Sequence, residues 1–348
     1  MTAAPPLARL YAGFVRRRVV LLVALAVALA ASFLVDIATG PAALPLRDVV
    51  AGLIDRAALP RAQGVILWDV RLPYAAMAVF VGAALGLAGA EMQTVLNNPL
   101  ASPMTLGVSF AATFGASVAI VLELDLFGLG ANVAIAASAF AGAAGATLLI
   151  YALSRSVGAT KDTVVLFGIA MFFTFNALVS LIQFVANTDA LQQIVFWTMG
   201  SLARATWGKI DVIAVVLVLC VPLSLRDAWA LTALRGGEEQ ARSFGIPVER
   251  LRLTVLLRAS LLAAVAVAFA GAIGFIGLVG PHIARLLLGE DHRFYLPGSA
   301  LAGAVVLSAA SIASKLLIPG LIVPIGIVTA LVGIPLFMAL VLGQRRAP

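Results

Sequence analysis

The sequence predicts an all-α membrane protein of about ten transmembrane helices, and three observations carry that prediction. Hydrophobic residues make up 62% of the chain and charged residues 11%, with a mean hydropathy of +1.10. Soluble domains average about 45–50% apolar and about 25% charged residues, so this balance excludes an ordinary water-soluble enzyme, a disordered chain and a nucleic-acid-binding domain. Nine apolar runs are long enough to cross a bilayer, which takes about 20 residues of helix. The basic residues behind the net charge of +7 gather between and beyond those runs, where they report orientation rather than a nucleic-acid patch.

Taken in order, the spans fall at 19–37, 72–96, 105–122, 131–153, 164–185, 210–225, 253–276, 298–317 and 321–342. The first follows Arg16, Arg17 and Arg18 and could be a signal peptide cleaved near Ala28-Leu29-Ala30; we read it as a retained span. Residues 39–70 mix Arg47, Arg56 and Arg61 with Asp48, Asp55 and Asp69, which suits an external loop carrying one surface helix. A tenth span is expected at 282–288, too short to cross alone but tolerable as a half-helix shielded inside a bundle. Parity supports it. Arg16 to Arg18, the group Arg226, Arg235, Arg242, Arg250 and Arg252, and Arg345 with Arg346 all lie in the cytoplasm only if the crossings are even in number. A weak inverted repeat is expected from Gly89 followed by Pro99 and Gly271 followed by Pro281, at equal spacing in the two halves.

Candidate chemistry is sparse. Two His and one Cys (Cys220) are too few for a thiolate zinc site, a haem pair or a disulfide framework, so neither a metal nor a cofactor is expected on this chain. No phosphate-binding Gly-rich loop, His-Glu-x-x-His or acid–base carboxylate pair occurs, which argues against an enzyme. Glu91 and Lys315 lie late in their spans, where both can snorkel to an interface. Gly82, Gly86 and Ala90 form a small-residue stripe that reads as helix packing. Asn176 and Gln183 share one helix face and either line a polar path or bond between helices. The segment Asn97-Asn98-Pro99-Leu100-Ala101-Ser102-Pro103 must leave the helix at its prolines, as a plain turn or as the lip of a pore. After Gly236-Gly237, the run from Glu238 and Glu239 through Ala241, Arg242 and Phe244 to Gly245 reads as a short helix with acids at its start and a glycine stop. It is either a solvated linker or a docking helix whose Phe244 meets a partner.

Several ordered motifs carry a resemblance. Arg71-Leu72-Pro73, Val81-Gly82-Ala83-Ala84-Leu85, Gly89-Ala90-Glu91-Met92-Gln93, Asn98-Pro99-Leu100-Ala101-Ser102-Pro103, Gly107-Val108-Ser109, Gly277-Leu278-Val279-Gly280-Pro281-His282 and Pro324-Ile325-Gly326 run in consistent order from Arg71 to the C-terminus. The chain thereby resembles the permease subunits of bacterial ATP-binding cassette importers for ferric siderophores, haem and vitamin B12. The resemblance implies the type II importer permease fold, as one transmembrane domain over 1–348 with a cytoplasmic coupling loop at 227–250. It implies a second copy of the permease, two ATPase subunits that hold the ATP and Mg, and a periplasmic substrate-binding protein, in the lipid of the inner membrane with both termini cytoplasmic. A cytoplasmic gate would fall on Asn98, Leu100, Thr160 and Lys161, and ATPase coupling on Glu238, Glu239, Ala241, Arg242, Phe244 and Gly245. Docking of the binding protein would use Arg71 and Lys315, with Tyr74 where the family commonly has a second Arg. The stretch from Leu191 to Leu202 looks more like siderophore permeases than haem ones, so a ferric siderophore is the expected cargo, ahead of haem or vitamin B12. An ion-coupled secondary carrier is the rival from another class.

Overall fold

The computed structural model describes residues 7–344 apart from 42, 43, 126, 127, 129 and 159. Arg345 and Arg346, which contributed to the parity argument, lie outside the described residues. The helices are α1 (Leu7–Ala38), α2 (Leu46–Ile54), α3 (Arg61–Val65), α4 (Leu72–Val95), α5 (Val108–Val121), α6 (Ala131–Val157), α7 (Lys161–Val185) and α8 (Thr188–Thr198). They continue as α9 (Trp207–Arg226), α10 (Ala228–Arg235), α11 (Glu238–Ser243), α12 (Val248–Ala270), α13 (Ile276–Leu288), α14 (His292–Leu316) and α15 (Ile325–Gln344). Seven stretches are long and apolar enough to cross a membrane: those in α1, α6, α7, α9, α12 and α14, and Arg61–Val95, where a π-helical turn joins α3 to α4. The apolar α5, α13 and α15 bring the count to ten among the described residues, the number read from charge parity.

Differences from the sequence reading have local causes. The loop at 39–70 carries α2 and α3 rather than one helix, and α3 runs into the second span. The seventh span stops at Ala270 because Gly271 takes φ +76 and Phe275 φ +67, conformations a right-handed helix cannot contain. The half-helix then starts at Ile276, six residues earlier than expected. The helix α8 was not anticipated. Asn187 caps it by accepting from the Ala190 N–H at 2.8 Å. Gly89 and Gly271, the matched glycines of the two halves, occupy different settings, one inside α4 and the other at the end of α12.

The buried α4 is the axis of the bundle, and small residues let its neighbours close on it. A Cβ on Gly86 would lie 2.2 Å from the Ser299 carbonyl oxygen of α14, and one on Gly89 would lie 1.9 Å from that of Gly277 in α13. Backbones in such contact gain dispersion without ordering long side chains, which is how small-residue stripes hold helices in lipid. Gly89→Val is therefore expected to cost at least the roughly 1–3 kcal/mol of overpacking and to lower the unfolding midpoint of the detergent-solubilised protein. An unchanged midpoint would mean that α4 and α13 are not in backbone contact.

Glu91 does not snorkel. It is fully buried, and Arg258 of α12 reaches it at 2.6 Å while also holding Asp227 at 2.9 Å. The charge of a mid-bundle carboxylate is thus met inside the protein rather than at the interface.

Candidate functional site

The coupling and gate candidates converge at one end of the bundle. Two acids in the first turn and Arg242 in the last match the α11 dipole, and Gly245, at φ +79, turns the chain away. Ala241 is buried, whereas Phe244 is 54% exposed with its ring centroid 6.2 Å from that of Trp229, itself 64% exposed. An apolar pair therefore projects from an otherwise polar end, with Arg242 held by Glu249 at 2.5 Å. Thr160 caps α7 by accepting from Thr163 N–H, and Thr160 and Lys161 border an open cavity of about 790 Å³ together with Glu238, Glu239 and Arg242. A neighbouring cavity of about 450 Å³ is bordered by Asn98 and Lys161. Asn98 Oδ1 accepts from Leu100 N–H at 2.9 Å, so the segment is a side-chain-stabilised turn with Leu100 exposed at its tip.

Two arginines that sequence reasoning counted only as loop charge connect these parts. Arg252 is buried; its Nε donates to the Val95 carbonyl at 3.0 Å, at the end of α4, and its guanidinium also meets the Glu238 carboxylate at the start of α11. Arg235 donates to Asn97 Oδ1 at 2.8 Å and to Glu290 at 3.0 Å. Burial raises the Glu290 pKa, but the hydrogen bond and charge of Arg235, with the charge of Arg285, bring it below the usual carboxylate range. Charge-assisted bonds thus join the start of α11 to the end of α4, and the end of α10 to Asn97.

Between the ends lie two further cavities. One of about 600 Å³ is bordered by Asn176 and Gln183 from α7, by Phe110 and Thr113 from α5, and by Phe275 in the break before α13. Among the described residues neither amide side chain hydrogen-bonds to another helix, and both border the cavity. The other, about 580 Å³, lies towards α8 and is bordered by Tyr74, Gln192, Gln193, Trp197 and Arg204. Met199 borders the first cavity and Gly200 the second, so a single turn separates them.

The expected landing site is built differently from an exposed rim. Arg71, Tyr74 and Lys315 are each less than 10% exposed. Arg71 Nη1 donates to the Ile37 and Ala38 carbonyls at 2.9 Å, closing the last turn of α1. Lys315 Nζ donates to Asp36 Oδ1 at 2.7 Å and sits 4.5 Å from the Tyr74 ring centroid. Lys315 is thus no snorkelling side chain, and both cations are turned inward onto α1. Among the described residues no three His, Cys, Asp or Glu side chains converge as a metal-holding group.

A helical bundle with stacked cavities, no nucleotide loop of its own and a projecting helix tied to its interior belongs to the permease class of ATP-binding cassette importers. Residues 4–343 match the FecCD transport family, and the chain belongs to that family. It is 37% identical over 281 residues to the hemin transport system permease protein HmuU of Yersinia pestis, covering 80% of this chain and 84% of that one. It is likewise 37% identical over 276 residues to the vitamin B12 import system permease protein BtuC of Vibrio cholerae, covering 78% and 81%. A solved ABC transporter in an inward-facing conformation matches with a TM-score of 0.80 at 30% identity, covering 93% of this chain and 99% of that chain.

Proposed function

We propose that this chain is the permease subunit through which a ferric chelate, of the siderophore class, passes from periplasm to cytoplasm under the control of a separate ATPase. The observation that carries this reading is the link from exposed Phe244, through Glu238 and Arg252, to the carbonyl of Val95 beside the turn holding Asn98 and Leu100. ATPase subunits seated on Phe244 and Trp229, with ATP and Mg bound to themselves, would shift α11 when they close and so open or shut that turn against Thr160 and Lys161. Asn176 and Gln183 would line the path beyond it. The permease itself makes no covalent step.

In this scheme residues 227–250 form the cytoplasmic coupling loop of one permease domain, both termini are cytoplasmic, and a periplasmic binding protein delivers cargo at the α8 end of an inner-membrane complex. Arg71 and Lys315 serve that docking by shaping the rim from within, since their charges are already engaged. Exposed apolar residues along α1 and α7, such as Val27 and Phe184, suit lipid and a second permease copy. A carrier driven by an ion gradient needs a membrane carboxylate free to exchange its ion, whereas Asp36 and Glu91 each face a cation at 2.7 and 2.6 Å.

The test is uptake into proteoliposomes holding the permease, its ATPase and its binding protein. Uptake of a ferric siderophore that requires ATP and survives ionophores is expected. Uptake that follows an ion gradient without ATP would overturn the importer reading, and ATP-driven uptake of haem or vitamin B12 alone would overturn the cargo.

A further inference from the structure

The cavity beside α8 holds positive charge for which the described residues provide no counter-charge. Arg204 ends the short 3-10 turn Leu202–Arg204 and borders the cavity, and its Nε and Nη2 are buried without a hydrogen-bond acceptor. Burial lowers its pKa, although a guanidinium keeps its proton through any such shift. Lys209 lies one helical turn on; its Nζ donates to the Arg204 carbonyl at 2.9 Å, which draws a second cation to the same corner. Among the described residues neither side chain forms an ion pair with an acid, while ion pairs are made by arginines elsewhere, including Arg18, Arg235, Arg258 and Arg293.

An unneutralised, half-buried cation costs free energy, so its retention calls for something that offsets it. The surroundings are fitted to it. A Cβ on Gly271 would lie 3.0 Å from Arg204 Nη2 and 2.6 Å from the Trp197 carbonyl oxygen, so the guanidinium occupies room that only a glycine leaves. The Trp197 ring lies 5.7 Å from its Cζ and braces it from the side. Gln192, Gln193 and Ser201 add neutral hydrogen-bonding groups to a wall otherwise rich in apolar side chains.

Nε and Nη2 are neighbouring donors on one edge of the guanidinium, the edge that takes a carboxylate in a bidentate grip. We propose that this cavity receives an anionic oxygen group of the translocated ligand, a carboxylate or a deprotonated catechol, with Arg204 as its counter-charge. The assignment rests on the importer reading and narrows it: the cargo is an anionic chelate. Arg204 meets the arriving anion by its field from the wall that it borders. Beyond the turn at Met199 and Gly200 the walls around Asn176 and Gln183 carry no charge, so the ligand is held at the mouth and released inward.

The probes are ferric citrate, an anionic polycarboxylate chelate, and ferrichrome, a neutral hydroxamate chelate. Equilibrium binding of each to the full-length permease in nanodiscs is measured alongside uptake by the complete transporter, for the native chain, Arg204→Gln and Arg204→Lys. Native binding of ferric citrate is expected to weaken with salt, and Arg204→Gln to reduce it about tenfold or more relative to ferrichrome, with Arg204→Lys recovering part. Equal losses for both chelates would make Arg204 merely structural, and no native binding of ferric citrate, or no loss in Arg204→Gln, would equally overturn the proposal. Loss of binding-protein association in Arg204→Gln without loss of ferric citrate binding would assign the charge to docking and overturn it too. Salt-sensitive, Arg204-dependent binding of ferric citrate without ATP-driven uptake of either chelate would uphold the anion site while the transport reading fell.

Discussion

Phe244→Asp is expected to leave the permease inserted and folded but to abolish ATP-driven uptake. The side chain is 54% exposed and its packing partner is Trp229, so its removal leaves no core cavity and should change stability by no more than about 0.5 kcal/mol, as surface substitutions generally do. At a partner interface the same ring would be buried, and truncating a central aromatic anchor commonly costs about 2 kcal/mol or more; a carboxylate adds desolvation without a donor or counter-charge for it. The complex should therefore lose about thirtyfold or more in affinity, by the rule that 1.4 kcal/mol is tenfold. Phe244→Leu should keep most of the coupling. The measurements are membrane abundance, copurification of the ATPase and uptake. Normal uptake by Phe244→Asp would remove α11 from the coupling role.

The second large effect is expected from Lys315→Glu, and it should strike folding before docking. Asp36 is fully buried, with Ser311 donating to it at 2.7 Å and Lys315 at 2.7 Å. Removing one partner of a buried pair leaves an uncompensated charge, at about 3–5 kcal/mol, and placing a second carboxylate there adds repulsion. Lys315→Glu should accordingly lose membrane abundance and a monodisperse profile in detergent. Pairing Asp36→Leu with Lys315→Met should recover both, because replacing a whole buried ion pair with apolar side chains of similar bulk is often neutral. If Lys315→Glu folds like the native chain and loses only binding-protein association, then Lys315 acts at the landing surface directly and the inward pairing is incidental.

The contrast between these residues shows which kinds of information lie along the chain. Phe244 could be singled out because every feature of α11 is local: acids at its start, a cation at its end, a glycine after it, and one large apolar residue on an otherwise polar segment. Lys315 and Arg71 could be recognised as unusual but not as internal. The partner of Lys315 is 279 residues away, and no periodicity announces it. Asp36 lies at the end of the first apolar run, and nothing local to it points to α14. Arg204 is similar: a basic residue in a loop looks like any other until the helices around it deny it an acid. The helix α8 was missed because eleven residues with two glutamines and an aspartate fit neither a span nor a strongly apolar face.

By itself the sequence determined the membrane environment, the all-helical class, the count of ten apolar helices and the positions of the α11 helix and the 97–103 turn. Hydropathy, helix capping and proline geometry act over a few residues at a time, so they can be read without knowing the fold. Only the tertiary structure decided where the charges go. In the interior of a helical bundle each ion must find its counter-ion across helices that are remote in sequence, and that match is set by packing. The same packing inserted α13 beside Gly89, turned Arg71 and Lys315 inward, tied Arg252 to both Glu238 and Val95, and left Arg204 beside a cavity without an acid.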